Sequence, residues 1–148
     1  MSSREATGLV LLDTHTWIWL MEGLADRLGT STRRLIDEAA RMASVRVSAM
    51  SIWEIAMLES RGRITLSLDC RAWIRRALTA PGLQLQPLTP DIAIESTRLP
   101  GDPGRDPVDR ILLATARLSG GTLVTQDDRL LDYAATGRLR AVPCTPRG

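Results

Sequence analysis

Leu9-Val-Leu-Leu12 is a continuous apolar run cut off by an acid, Asp13. A strand that is apolar at every position has no face to offer water, so it belongs inside a sheet covered on both sides by helices. That requirement points to an α/β chain. Further short runs at Val45–Ser48, Leu83–Gln86, Thr122–Thr125 and Leu139–Val142 alternate with helical patterns, which predicts a largely parallel sheet with the last run at an edge.

Between the runs, Ser31–Ala43 carries Leu35, Ile36, Ala39, Ala40 and Ala43 at helical spacing, with Ser31 or Thr32 as its cap. Ser51-Ile-Trp-Glu54 reads as a capping box opening a helix to Arg61, stopped at Gly62. Asp69 is placed to cap a helix containing Trp73, Ile74, Ala77 and Leu78. Thr89-Pro90-Asp91 sets Pro at the first position of a short helix reaching about Arg98. After the loop Leu99–Asp106, Pro107 opens a helix through Leu118 that ends at Gly120-Gly121. Asp127 or Asp128 caps a last helix to about Ala135, and a frayed tail follows from Pro143.

A length of 148 residues fits one domain, 1–148, with a core spanning about 8–142. Two cysteines are too few for a disulfide framework, and no apolar run reaches the length of a membrane span. Without a secretory leader pattern at the N-terminus, the expectation is a cytoplasmic protein. The chain contains no Lys, Asn or Phe, so all 19 basic residues are Arg. Lysine-dependent chemistry, from phosphate loops to Schiff bases, is thereby excluded. A single histidine, His15, rules out multi-histidine zinc sites, and no G-x-S-x-G elbow is present. Catalysis must rest on carboxylates, hydroxyls, arginines or an oxygen-held metal.

Asp13 and Asp127 both fall just past the carboxyl ends of predicted strands, where open α/β sheets form ligand crevices. Glu54 lies near the start of the helix after the second strand, and Asp106 and Asp109 stand three residues apart at a helix start. Each acid also has a purely structural explanation: Asp106 and Asp127 as caps, Glu54 as the partner of Ser51, and Asp109 as a charge favoured by the helix dipole. For Asp13 the capping explanation is weaker, because Thr14 and Thr16 compete for the role. If Asp13, Glu54, Asp109 and Asp127 surround one cavity, their mutual repulsion calls for a hard divalent cation, Mg²⁺ or Mn²⁺. Such a site activates water for attack on a phosphodiester without His, Cys or Lys.

At these residues the chain resembles the PIN-domain family, specifically the VapC-type toxins of bacterial toxin–antitoxin pairs. The matching stretches are Leu11-Leu-Asp13-Thr-His, Ser51-Ile-Trp-Glu54-Ile-Ala, Asp106-Pro-Val-Asp109-Arg-Ile-Leu-Leu-Ala-Thr-Ala and Leu123-Val-Thr-Gln-Asp127, in the family's order. The resemblance implies a three-layer α/β/α sandwich and a metal-dependent ribonuclease using Mg²⁺, with Mn²⁺ as an alternative. It also implies a homodimer or toxin–antitoxin hetero-oligomer, inhibited by a VapB-type antitoxin. Asp13, Glu54, Asp109 and Asp127 fall on the family's acidic positions, and Thr14 and Thr125 on supporting ones, with Asp106 and Asp128 as further acids nearby. Gly104 stands where many relatives carry His, and Val108 replaces a common Phe.

Among the aromatic residues, Trp53 and Trp73 read as packing residues, whereas Trp17-Ile-Trp-Leu-Met21 could also face a partner. His15 reads as structural. Arg105, Arg110 and Arg129, each beside an acid, are candidates either for RNA phosphate or for neutralising a carboxylate. Arg33, Arg34, Arg41, Arg75 and Arg76 read as solvated helix faces. The competing functional reading is a catalytically silent PIN-like module that acts only through its antitoxin. Carboxylate phosphotransfer domains fit worse: His15 stands where one class needs a second acid, and the receiver class needs a Lys.

Overall fold

The computed structural model describes residues 8–146. Five strands form one sheet: β1 (Val10–Leu12), β2 (Val45–Ser48), β3 (Leu83–Gln86), β4 (Thr122–Val124) and β5 (Arg140–Val142), in the order β3-β2-β1-β4-β5. Every adjacent pair is parallel, so the sheet is wholly rather than mainly parallel. The helices are α1 (Thr14–Met21), α2 (Thr30–Arg41), α3 (Ala49–Ser60), α4 (Cys70–Ala77), α5 (Pro90–Ser96), α6 (Pro107–Ser119) and α7 (Asp128–Tyr133).

The period-two alternation of β1 builds both sides of a three-layer α/β/α sandwich. Val10 and Leu12 pack with Val45, Val47 and Val124 against Trp17, Ile36, Ile55 and Trp73. Leu9, Leu11 and Leu123 point the other way, onto Ile92, Leu113, Leu130 and Tyr133. Trp17 and Trp73 meet edge to face with ring centroids 5.3 Å apart. Glu22, at the end of α1, accepts hydrogen bonds from Ser67 N, Ser67 Oγ and Trp73 Nε1, fastening the segment before α4 to the first helix. Those bonds, the Ser67 hydroxyl above all, hold its carboxyl below the ordinary value. Among the described residues no helix is long and apolar enough to cross a membrane.

Local capping follows the sequence at Asp69, Thr89, Asp106 and Asp127, each accepting a bond from a backbone N–H in the first turn of its helix. Two caps are corrected. Gly29 caps α2 without a side-chain bond, and Thr32 instead donates to Pro143 O at 2.8 Å. Ser48, not Ser51, caps α3 by accepting from Met50 N, so the helix starts earlier and no capping box joins Ser51 to Glu54. The last helix ends at Tyr133 and continues as a wider turn over Ala134–Arg138. The expected fraying from Pro143 is also corrected: Cys144 is buried, its carbonyl accepts from Gly29 N at 2.7 Å, and Thr145 N donates to Gln126. Residues 147 and 148 of that tail lie outside the described residues.

Gly82 shows how tightly the layers meet. Its φ is +80°, and a Cβ there would sit 2.1 Å from Ala40 O at the end of α2. We expect Gly82→Ala to cost at least about 2 kcal/mol of unfolding free energy, since backbone strain and a clash against backbone add together. Urea denaturation checks this, and an unchanged midpoint contradicts the packing described.

Candidate active site

In this sheet order β1 is followed on one side by β2 and on the other by β4, so the chain reverses its winding direction between β1 and β4. That is the switch point at which open α/β sheets leave a crevice beyond the carboxyl ends of their strands. Asp13 stands at the end of β1 and Asp127 beyond the end of β4, one on each side of it.

A cleft of about 370 Å³ lies there, lined by Asp13, Glu54, Asp106, Asp109 and Asp127 together with Leu112 and Leu130. Thus acids from β1–α1, α3, α6 and β4–α7 come together although they are separated by tens of residues. Asp13 is buried and doubly held. Its Oδ1 accepts from Thr16 N at 2.8 Å and its Oδ2 accepts from Thr125 Oγ1. It is therefore the cap of α1, the role for which Thr14 and Thr16 were competitors. The Thr125 hydroxyl also accepts from Asp127 N at 3.1 Å, so one side chain ties both strand-end acids. Thr14 Oγ1 donates to Ser51 Oγ at 2.9 Å, clamping α1 to the helix that carries Glu54. Ser51 is free to make this bond because Ser48 caps the helix.

Asp109 feels the crowding most. Burial, then the neighbouring charges of Asp106, Asp127 and Glu54, push its carboxyl up to about 7, against a partial offset from Arg129. Among the described residues, no group of three or more His, Cys, Asp or Glu side chains stands ready-made as a metal cage. Asp13, Asp106 and Asp127 are each hydrogen-bonded to a backbone N–H. The donor chemistry nevertheless suits a hard cation. The lining acids supply oxygen alone, each hydrogen-bonded oxygen keeps a further lone pair, and the cleft has an excess of negative charge.

The other candidates fall differently. Arg129 lines the cleft, largely exposed, 3.8 Å from Asp127. Arg110 Nε donates to Gly104 O at 2.6 Å, which makes it a clamp on the loop before α6. Arg105 is exposed and lines an adjoining chamber instead. Asp128 is exposed in the first turn of α7 and is not among the residues lining the cleft. Trp53 is 55% exposed, which corrects its reading as a packing residue; Trp73 and Trp17 are buried. His15 and Trp19, one helical turn apart, line the cleft mouth, with Arg27 set over the Trp19 ring. Leu112 and Gln126 also line it, and nothing in the sequence singled them out.

The PIN domain family matches residues 10–136. Ribonuclease VapC22 of Mycobacterium tuberculosis is 34% identical over 124 residues, covering 84% of this chain and 91% of that protein. A chain in the structure of FitAB bound to an IR36 DNA fragment superposes with a TM-score of 0.50 at 17% identity, covering 91% of this chain and 94% of its own length. That second likeness bears on fold alone. The chain belongs to the PIN-domain family. Within it, the kinship is with the VapC-type members.

The raised Asp109 has a consequence for stability. Between roughly pH 4 and 7 the folded protein keeps a proton that the unfolded chain has released, so this group makes stability fall as pH rises through that window. In metal-free buffer, Asp109→Asn is expected to raise the Tm at pH 8 and to flatten the decline between pH 5 and 8. Melts in EDTA check this; an unchanged pH slope contradicts it.

Proposed function

We propose that this protein is a Mg²⁺-dependent endoribonuclease, with Mn²⁺ as an alternative ion, acting as the toxin of a toxin–antitoxin pair. The observation that carries the reading is the convergence of Asp13, Glu54, Asp109 and Asp127 on one cleft at the switch point of the sheet. The name of its relative VapC22, a ribonuclease, supports RNA as the substrate.

Asp13, Glu54, Asp109 and Asp127 would hold the ion. When bound, such an ion relieves the repulsion among the acids and polarises water and phosphate oxygens for phosphodiester hydrolysis. The chain's own part is positioning and proton handling. Asp13 is fixed by Thr16 N and Thr125 Oγ1, so its carboxylate enters the site with little freedom left to lose. The Thr125 bridge keeps Asp127 in step with it. Thr14 and Ser51 hold Glu54's helix at the proper distance. Asp109, its carboxyl pushed up to about 7, is divided between protonated and charged forms at neutral pH, and the charged form is the one that would hold the ion. Leu112 and Leu130 keep part of the lining dry. His15, exposed at the rim, is not needed for proton transfer in this scheme.

The partners that go with this reading are RNA, a VapB-type antitoxin and a second copy of the chain, alone or in a hetero-oligomer, in the cytoplasm. The exposed Trp53 on α3 and Ile94 on α5 are apolar surface of the kind a protein partner covers.

Freed of any co-purified partner, the protein is expected to cleave single-stranded RNA with Mg²⁺ or Mn²⁺ and to stop in EDTA. Asp13→Asn and Asp109→Asn are each expected to lower kcat about 100-fold or more while the fold is kept. Cleavage undiminished in Asp13→Asn contradicts the mechanism. An inert wild type that still binds an antitoxin favours the silent module.

A further inference from the structure

Past β5, residues 143–146 form a strap that lies outside the stretch matched to the PIN domain family. It is fastened residue by residue. Pro143 O accepts from Thr32 Oγ1 at 2.8 Å, and Cys144 O accepts from Gly29 N at 2.7 Å. The Cys144 side chain is buried, with Sγ 3.0 Å from Thr16 Oγ1. Pro146 closes on Gly29, where a Cβ would come within 3.2 Å of its Cδ.

The remaining contact reaches the carboxylate cleft. Thr145 N donates to Gln126 Oε1 at 3.1 Å, and Gln126, the residue between Thr125 and Asp127, lines the cleft. A backbone N–H only donates, so it fixes which end of the planar amide is which. Oε1 faces the strap, and the NH2 end is left over as a donor. Among the described residues nothing accepts a hydrogen bond from it.

The other donors of the lining differ from this one. Arg129 carries a full positive charge and stands 3.8 Å from Asp127. Thr14 gives its hydroxyl proton to Ser51, and Thr16 Oγ1 is engaged by Val124 O and Cys144 Sγ. His15 and Trp19 stand at the mouth. Gln126 is neutral, so it neither pairs off with the lining acids as a counter-ion nor opposes a bound cation. Its partner must be an acceptor, and an anionic phosphate oxygen makes the stronger bond with such a donor. We propose that Gln126 is a substrate-binding residue: its amide NH2 donates to a non-bridging oxygen of the RNA phosphate being cut, and the strap 143–146 holds it in that orientation. The inference rests on the ribonuclease reading and adds to it a binding residue and a role for the segment after β5.

The test is steady-state cleavage of short RNA by the full chain with Mn²⁺. Gln126→Ala is expected to lower kcat/KM about tenfold. Its Mn²⁺ affinity, read by calorimetry, should equal that of wild type. The slope of log kcat/KM against log salt should also be unchanged, because the contact is neutral. Thr145→Pro removes the N–H that orients the amide. It is expected to lower kcat/KM about threefold alone and to change nothing further in Gln126→Ala. RNAs with one sulfur at the cut linkage, used as separate diastereomers, locate the contact. On one of the two, wild type and Gln126→Ala should have equal kcat/KM, since sulfur is a weak acceptor.

An unchanged kcat/KM in Gln126→Ala overturns the contact while wild-type cleavage leaves the ribonuclease reading standing. So does a loss mirrored in Mn²⁺ affinity, or one kept in full on both diastereomers. A further loss from Thr145→Pro on top of Gln126→Ala overturns the strap's part. A wild type that leaves RNA intact with Mn²⁺ overturns the ribonuclease reading itself, and the contact with it.

Discussion

Repulsion among carboxylates is the constraint around which this molecule is organised. Asp13, Glu54, Asp109 and Asp127 meet at one cleft, and Asp109 registers the strain in a carboxyl pushed up to about 7. A fold gathers such groups only if something stiffer than side chains places them. Here that is the parallel sheet, whose β1 and β4 lie side by side with their carboxyl ends aligned. Both acids then sit at helix starts, where backbone N–H groups and the helix dipole favour a negative charge. The Thr125 hydroxyl, bonded to Asp13 and to Asp127 N, joins the two strand ends into one unit.

The same arrangement makes the acids do two things. Asp13, Asp106 and Asp127 are helix caps as well as cleft residues. Structural and chemical explanations of these residues are therefore not rivals. A cap uses one lone pair of a carboxylate oxygen and leaves the others available. Replacing such an acid by Asn keeps a capping oxygen while removing charge, which separates the two roles.

Features set by neighbours in sequence were legible in the sequence. The apolar run before Asp13, the start of α5 at Pro90 and that of α6 at Pro107, and the caps at Asp69, Thr89, Asp106 and Asp127 depend on a few adjacent residues, and the strand boundaries agree within a residue. Features decided by distant residues were not legible. Ser48 rather than Ser51 caps α3, and Ser51 is instead engaged by Thr14, 37 positions away. The tail past Pro143 packs because Gly29 and Gln126 receive it. Trp53 looked like core from its apolar neighbours, yet it lies on the outer side of α3. The four acids could be ranked as a set only through the order of the family's motifs, since each taken alone is an ordinary cap or helix-end charge.

The account stands or falls on whether these acids act together on one cation. The most direct measurement is an anomalous difference map from crystals of the partner-free protein soaked in Mn²⁺. The account predicts a peak in the cleft within ligand distance of Asp13 and Asp109, bounded by Glu54 and Asp127, and its loss in Asp109→Asn. A cleft without Mn²⁺ at saturating concentration, or Mn²⁺ bound only elsewhere on the surface, would contradict it.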